Sequence, residues 1–171
     1  MESVEAYLAE IMAGIRPLAA HELSLADAYG AVLAEEVRAQ WLLPAFDNSA
    51  MDGYAVRAAD LADASADGPV VLPVDGEIAA GDTGQRALAP GSAIRIMTGA
   101  PMPEGADAVV PVELTDAGTD RVAVREPVAE GASIRRAGGD AQPGDLLLEA
   151  GTRIGAVQLG LLAAEIGRAH V

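Results

Sequence analysis

"PAFDNSAMDGYAV", Pro44–Val56, crowds two aspartates, an asparagine and a serine into the approach to a short apolar run. Tyr54-Ala55-Val56 has the residue types of a β-strand, and Asp52-Gly53 before it is by itself only a turn signal. A turn needs one such polar residue; this stretch holds Asp47, Asn48, Ser49 and Asp52. A calcium loop does not account for them. An EF-hand needs an oxygen ligand at its fifth position and glycine at its sixth, and those places hold Met51 and Asp52. Asn48-Ser49-Ala50 is not a glycosylation acceptor either.

The stretch also divides two textures. Before it, Val4, Leu8, Ile11, Met12 and Ile15 recur at helical spacing, predicting a helix over 3–15 closed by Gly14 and Pro17. Ser24 and Asp27 resemble a capping box, which predicts a second short helix ended by Gly30. "AVLAEEVRA" reads as a strand or a helix-to-strand transition, and "QWLLPAF" as a linker broken at Pro44 with Trp41 packed between segments. After it, from about 45 to 140, turn signals separate the β-prone runs "GYAV", "PVVLPV", "AIRIM", "AVVPVE" and "RVAVR". Asp75-Gly76 predicts a hairpin tip between "VVLPV" and "EIAA". "GDLLLEAGTRI" adds a strand, "GAVQLGLLAAEIG" a helix closed by Gly167, and "RAHV" the start of a further strand, as though more protein follows. The pattern is α+β, with an all-β segment of short strands from about 45 to 140 and helices before and after it.

Composition narrows the chemistry. Eleven basic residues, all arginine, face 26 acidic ones for a formal charge of −15. Such a chain is ill suited to grip nucleic acid or an anionic membrane. Without lysine it forms no Schiff base, and without cysteine no thiolate or disulfide. The acidic N-terminus lacks a signal peptide's basic start, and no apolar run reaches the roughly 18 residues of a membrane span. These features predict a cytoplasmic protein.

Two more loops are polar beyond structural need. "MTGAPMPEGAD", 97–107, places Thr98 and Gly99 straight after a strand, where backbone N–H groups could face an anion; it also reads as a proline-stiffened surface loop. "SIRRAGGD", 133–140, carries the one adjacent arginine pair, Arg135-Arg136, two glycines and Asp140. An arginine fork suits an oxyanion, or pairs with surface carboxylates. "EIAAGD", 77–82, reads as a hairpin arm, and His21 and His170 have no metal-ligand spacing. The carboxylates of Asp47, Asp52 and Asp140 could together hold Mg²⁺ through hard oxygen ligands.

"PAFDNSAMDGYAV", "IRIMTGAPMPEGADAVVPVE" and "IRRAGGD", in this order and spacing, resemble the MoeA family of molybdopterin molybdenumtransferases, to which the gephyrin E domain also belongs. The resemblance spans essentially the whole chain. It implies an enzyme that inserts molybdate into adenylylated molybdopterin and releases AMP in a Mg²⁺-dependent step. It implies the fold of domains I and II only, an elongated mixed domain from both ends, 1–45 with 141–171, and a β-rich inserted domain, 46–140, since the downstream α/β domain with its "SGG" loop and the β-barrel domain have no counterpart here. In the family the active site forms between the β-rich domain of one subunit and the third and fourth domains of its partner. A homodimer joined through the N-terminal domains is therefore implied, with half a site on this chain. By resemblance Asp52, Thr98 and Asp140 are catalytic, with Asp52 and Asp140 also the Mg²⁺ ligands. Asp47, Asn48, Ser49, Gly99, Arg135 and Arg136 shape the binding loops. The alternative is a dimerisation or interaction module without turnover.

Overall fold

A computed structural model describes residues 3–16, 18–82, 86–165 and 168–170. In chain order the elements are α1 (Val4–Gly14), β1 (Glu22–Ser24), β2 (Val37–Arg38), β3 (Asn48–Ser49), β4 (Gly53–Val56), β5 (Val70–Ile78), β6 (Ala93–Ile96), β7 (Ala108–Pro111), β8 (Arg121–Val124), β9 (Ile134–Arg135), β10 (Leu146–Leu148), α2 (Ala156–Glu165) and β11 (Arg168–His170). The protein is mixed α+β. No described helix is long and apolar enough to cross a membrane. The chain divides into two compact units, Met1–Gln40 with Gly144–Val171, and Trp41–Pro143.

In the first unit, α1 starts where the Ser3 hydroxyl accepts the Ala6 N–H at 3.2 Å, an N-cap that satisfies one of the helix's orphan donors. Its apolar stripe is present as expected, yet none of its residues is buried. The core lies elsewhere, where Ala28, Leu33, Val37, Ile154 and Leu162 pack together with Leu159 of α2 against them. Antiparallel pairs β1–β11 and β2–β10 complete the unit. The helix expected from Ser24 is a turn. The Ser24 hydroxyl does reach Asp27, donating to Oδ2 at 2.6 Å, but the chain is then drawn into pairing with residues 152–154. Gly30 N–H donates to Ile154 O and Leu33 N–H to Thr152 O, so tertiary pairing overrides the local cap. The stops expected at Pro17 and Gly167 lie outside the described residues.

The second unit is built on a five-stranded sheet in the order β7-β4-β6-β5-β8, whose strands are the five β-prone runs. All four residues of β4 are buried because both faces of the sheet are covered. Tyr54 and Val56 face Leu72, Val110, Val122 and Val124; Ala55 faces Ile78, Ile94, Ile96 and Val109. Trp41, expected to pack between segments, is 65% exposed.

The Asp75-Gly76 hairpin does not form. β5 runs straight through it, pairing antiparallel with β8 over Val70–Pro73 and parallel with β6 from Val74 to Ile78. A register shift between Val74 and Glu77 absorbs the pair, with Gly76 at φ 102°. A hairpin tip and a bulge both use glycine's left-handed freedom, and continuous pairing on both edges selects the bulge.

Gly53 is likewise a strand residue, opposite both Ile96 and Pro111. A Cβ there would stand 2.0 Å from the Val110 carbonyl oxygen, in backbone that cannot swing away. Gly53→Ala is expected to destabilise the unit by about 3 kcal/mol or more, read as a fall in the urea midpoint. Gly99→Ala, where a Cβ meets nothing within 4 Å but φ is +81°, should lose only about 1 kcal/mol.

Candidate functional site

Three polar loops meet on β3, a strand of only two residues, Asn48 and Ser49, both buried. On one side it pairs with β9, Asn48 opposite Arg135 and Ser49 opposite Ile134. On the other the 97–102 loop lies against it. Ser49 N–H donates to Ala100 O at 3.0 Å, Gly99 N–H to Ser49 O at 2.8 Å and Met102 N–H to Asp47 O at 3.0 Å. The buried side chains bond locally. Asn48 Nδ2 donates to Phe46 O, and the Ser49 hydroxyl to Met51 O at 2.5 Å. These bonds satisfy polar groups that burial would otherwise penalise.

Two carboxylates tie the loops together. Asp47 takes the Arg136 guanidinium on Oδ2 at 2.6 Å and the Ala137 N–H on Oδ1 at 2.8 Å. Asp52 Oδ1 takes both the N–H and the hydroxyl of Thr98, each at 2.7 Å. The bond from the Ala137 amide, then that from Arg136, holds Asp47 below the usual carboxylate range. Asp52 is lowered by the Thr98 N–H, then by its hydroxyl, with a smaller contribution from the Arg95 charge.

The structure therefore brings Asp52 to Thr98, Asp47 to Arg136, and Asn48 to Arg135 across a ladder. Among the described residues no group of three or more His, Asp or Glu side chains is placed to hold a metal, so Asp47, Asp52 and Asp140 do not together form the expected Mg²⁺ site. Asp47 is instead paired with an arginine and Asp52 with a threonine, and Asp140 is exposed, its N–H donating to Leu43 O at 2.8 Å. No catalytic step through Mg²⁺ follows from these residues. The anion-facing amides expected in 97–102 are also engaged. Thr98, Gly99, Ala100 and Met102 all donate within the protein.

Of the arginine pair, Arg136 pairs with a carboxylate, whereas Arg135 is exposed and makes no side-chain hydrogen bond or ion pair among the described residues. Sequence reasoning passed over Arg95, the cation whose field reaches Asp52. Its signal was a single charge inside the apolar run "AIRIM".

Because Asp47 and Asp52 titrate lower when folded than the unfolded value of about 3.9, they contribute stability that is present above that value. It is lost as pH falls through their lower folded values. Acidification below about pH 4 should lower the urea midpoint, and the Asp47→Asn/Asp52→Asn double variant should lose less over the same interval.

Against known proteins, residues 2–165 match the family model described as the MoeA N-terminal region (domain I and II). Molybdopterin molybdenumtransferase 2 of Mycobacterium tuberculosis is 47% identical over 167 residues, covering 96% of this chain and 40% of that protein. Molybdopterin molybdenumtransferase of Bacillus subtilis is 44% identical over 145 residues, covering 82% of this chain and 34% of its own length. The crystal structure of the molybdopterin biosynthesis MoeA protein of Pyrococcus horikoshii superposes with a TM-score of 0.84 at 34% identity, over 90% of this chain and 41% of that one. The chain thus spans well under half the length of the relatives it matches. With the family model covering nearly its whole length, this chain belongs to the MoeA N-terminal region family.

Proposed function

We propose that the chain is the N-terminal part of a molybdopterin molybdenumtransferase of cytoplasmic molybdenum cofactor biosynthesis. In this reading the whole enzyme inserts molybdate into adenylylated molybdopterin and releases AMP. Its two units stand as the family's domains I and II, the second inserted in the first. The observation that carries the reading is the pair of hydrogen bonds from Thr98 to Asp52, which joins two of the three family loops at the surface of the β-rich unit.

The geometry supports the following roles. A carboxylate held anionic by two donors is a weak base and a good acceptor, so Asp52 orients a water rather than taking its proton outright. The water oxygen bonds to phosphorus as the bond from phosphorus to the anhydride oxygen breaks, the water's proton passes to the leaving phosphate oxygen, and AMP departs. Thr98 fixes the carboxylate, and Gly99 turns the chain so that it can. Asp140 provides the second carboxylate, and Arg135 offers its guanidinium to the phosphates. Asp47 and Arg136 clamp the first loop to the third, with Asn48 and Ser49 as the buried seam between them. The remaining half of the site comes from the downstream domains of a partner subunit.

A second reading, in which the chain acts as a dimerisation module, is favoured by α1. Val4, Tyr7, Leu8, Ile11 and Met12 are all exposed. Apolar faces of this kind mark interaction surfaces. The two readings are compatible if the chain both dimerises and supplies half a site.

The test is AMP release from adenylylated molybdopterin with molybdate. The chain alone should release none, and the complete enzyme should. Asp52→Asn in the complete enzyme should slow release about a hundredfold; unchanged release would sink the assignment, and release by the chain alone would remove the need for a partner. By light scattering the chain should be a dimer, and Leu8→Glu with Ile11→Glu should make it a monomer with an unchanged melting temperature. A dimer that survives both substitutions would rule out α1 as the interface.

A further inference from the structure

An anionic ligand near Asp52 needs a cation or free N–H donors, because like charges at short range repel strongly where solvent is thin. The loops offer few free amides. Thr98, Gly99, Ala100 and Met102 donate inside the protein, as do Ala137, Gly138, Gly139 and Asp140. Recognition of an oxyanion therefore falls to side-chain cations. Arg136 is held by Asp47, and Arg135 stands on the third loop. On the Asp52 side the cation is Arg95.

Arg95 lies in β6, directly opposite Tyr54 of β4 and Glu77 of β5. Asp52 precedes Tyr54 by two residues, so Asp52, Arg95 and Glu77 belong to one face of the sheet by the strand's period of two. Thr98 follows Arg95 by three residues, in the turn two residues beyond the end of that strand. The Arg95 side chain is 34% exposed, and its one ion pair among the described residues is Nε to Glu77 Oε2 at 3.8 Å. That is beyond hydrogen-bond reach, and Glu77 is itself more than half exposed, so the contact is weak. Among the described residues the guanidinium donates no hydrogen bond. A rigid strand thus presents a half-buried planar fork with its N–H groups unused, beside a carboxylate whose Oδ1 is already taken.

We propose that Arg95 forms a subsite for a tetrahedral oxyanion on the open side of the Asp52–Thr98 pair. Its ligand class is a phosphate ester or a metallate such as molybdate, which share charge and shape. The two sources follow from the function proposed above, on which the choice of probes rests. Arg95 is then the fixed cation that lets an anion approach Asp52. Glu77 competes weakly for it and tunes its availability.

The test is a pair of titrations of the ¹⁵N-labelled chain, one with AMP and one with molybdate, following the arginine Nε–H and Thr98 amide signals by NMR. Saturable movement of the Arg95 Nε–H is expected with at least one probe, and which probe identifies the source. Arg95→Met should weaken that binding about tenfold, while Glu77→Gln should tighten it. The opposite sign of the second variant separates loss of a subsite from loss of fold. No saturable shift with either probe, or equal affinity in Arg95→Met, overturns the proposal. If Arg95 saturates but the complete enzyme releases no AMP, the functional reading fails and the subsite stands. If AMP is released and Arg95→Met changes neither affinity nor KM, the subsite fails and the function stands.

Discussion

The site depends on the need to satisfy the backbone of a two-residue buried strand. Asn48 and Ser49 are too few to form a stable ladder alone, and burial removes water as a partner. Their amides and carbonyls must find partners on both sides. Residues 99–102 supply one side and 133–135 the other. Three loops far apart in sequence converge for this reason, and any geometry that the loops offer a ligand is set by it. The five-stranded sheet matters to the site mainly by placing Gly53 and Ile96 opposite each other, so that Asp52 and Thr98 emerge side by side.

This arrangement changes how the aspartates should be read. In sequence they look like metal ligands, since carboxylates near glycines are how hard cations are bound. In the folded chain Asp47 and Asp52 already accept hydrogen bonds from the protein. Asp47 has a guanidinium and an amide, and Asp52 has an amide and a hydroxyl. Charge-assisted bonds of this kind are short and directional, so they orient a loop as well as stabilise it. An aspartate used in this way is a positioning group first. Whatever it does to a substrate, it does from a fixed orientation.

Much of the fold was legible because strand patterns are local. The five apolar runs became the five strands of the main sheet, and Ser3 with the Val4–Ile15 stripe made α1. The failures share one physical cause. Ser24-Asp27 and Asp75-Gly76 are good local signals, and both were overridden by pairing with distant strands. A single sequence does not contain that competition. The site was legible as a set of loops, while the partners inside it were not. Asp52 with Thr98 and Asp47 with Arg136 lie 46 and 89 residues apart, and only the register of β3, β4 and β6 brings them together. Arg95 was missed because a strand interior reads as core, and its direction becomes meaningful only once Tyr54 and Glu77 flank it.

Charge composition then acquires a local meaning. The chain sets 11 arginines against 26 acidic residues, and of the adjacent pair in the third loop Arg136 is bound to Asp47 while Arg135 has no such partner among the described residues. Arginine rather than lysine suits the purpose, because a planar fork held on a strand keeps its geometry when the partner leaves. The chain separates two uses of the same side chain. Arg136 closes the loops on themselves, and Arg135 keeps its donors outward from the same short strand region. A site assembled this way can be rigid before its ligand arrives, which lowers the ordering cost of binding. The bonds that hold it together are made within residues 41–143.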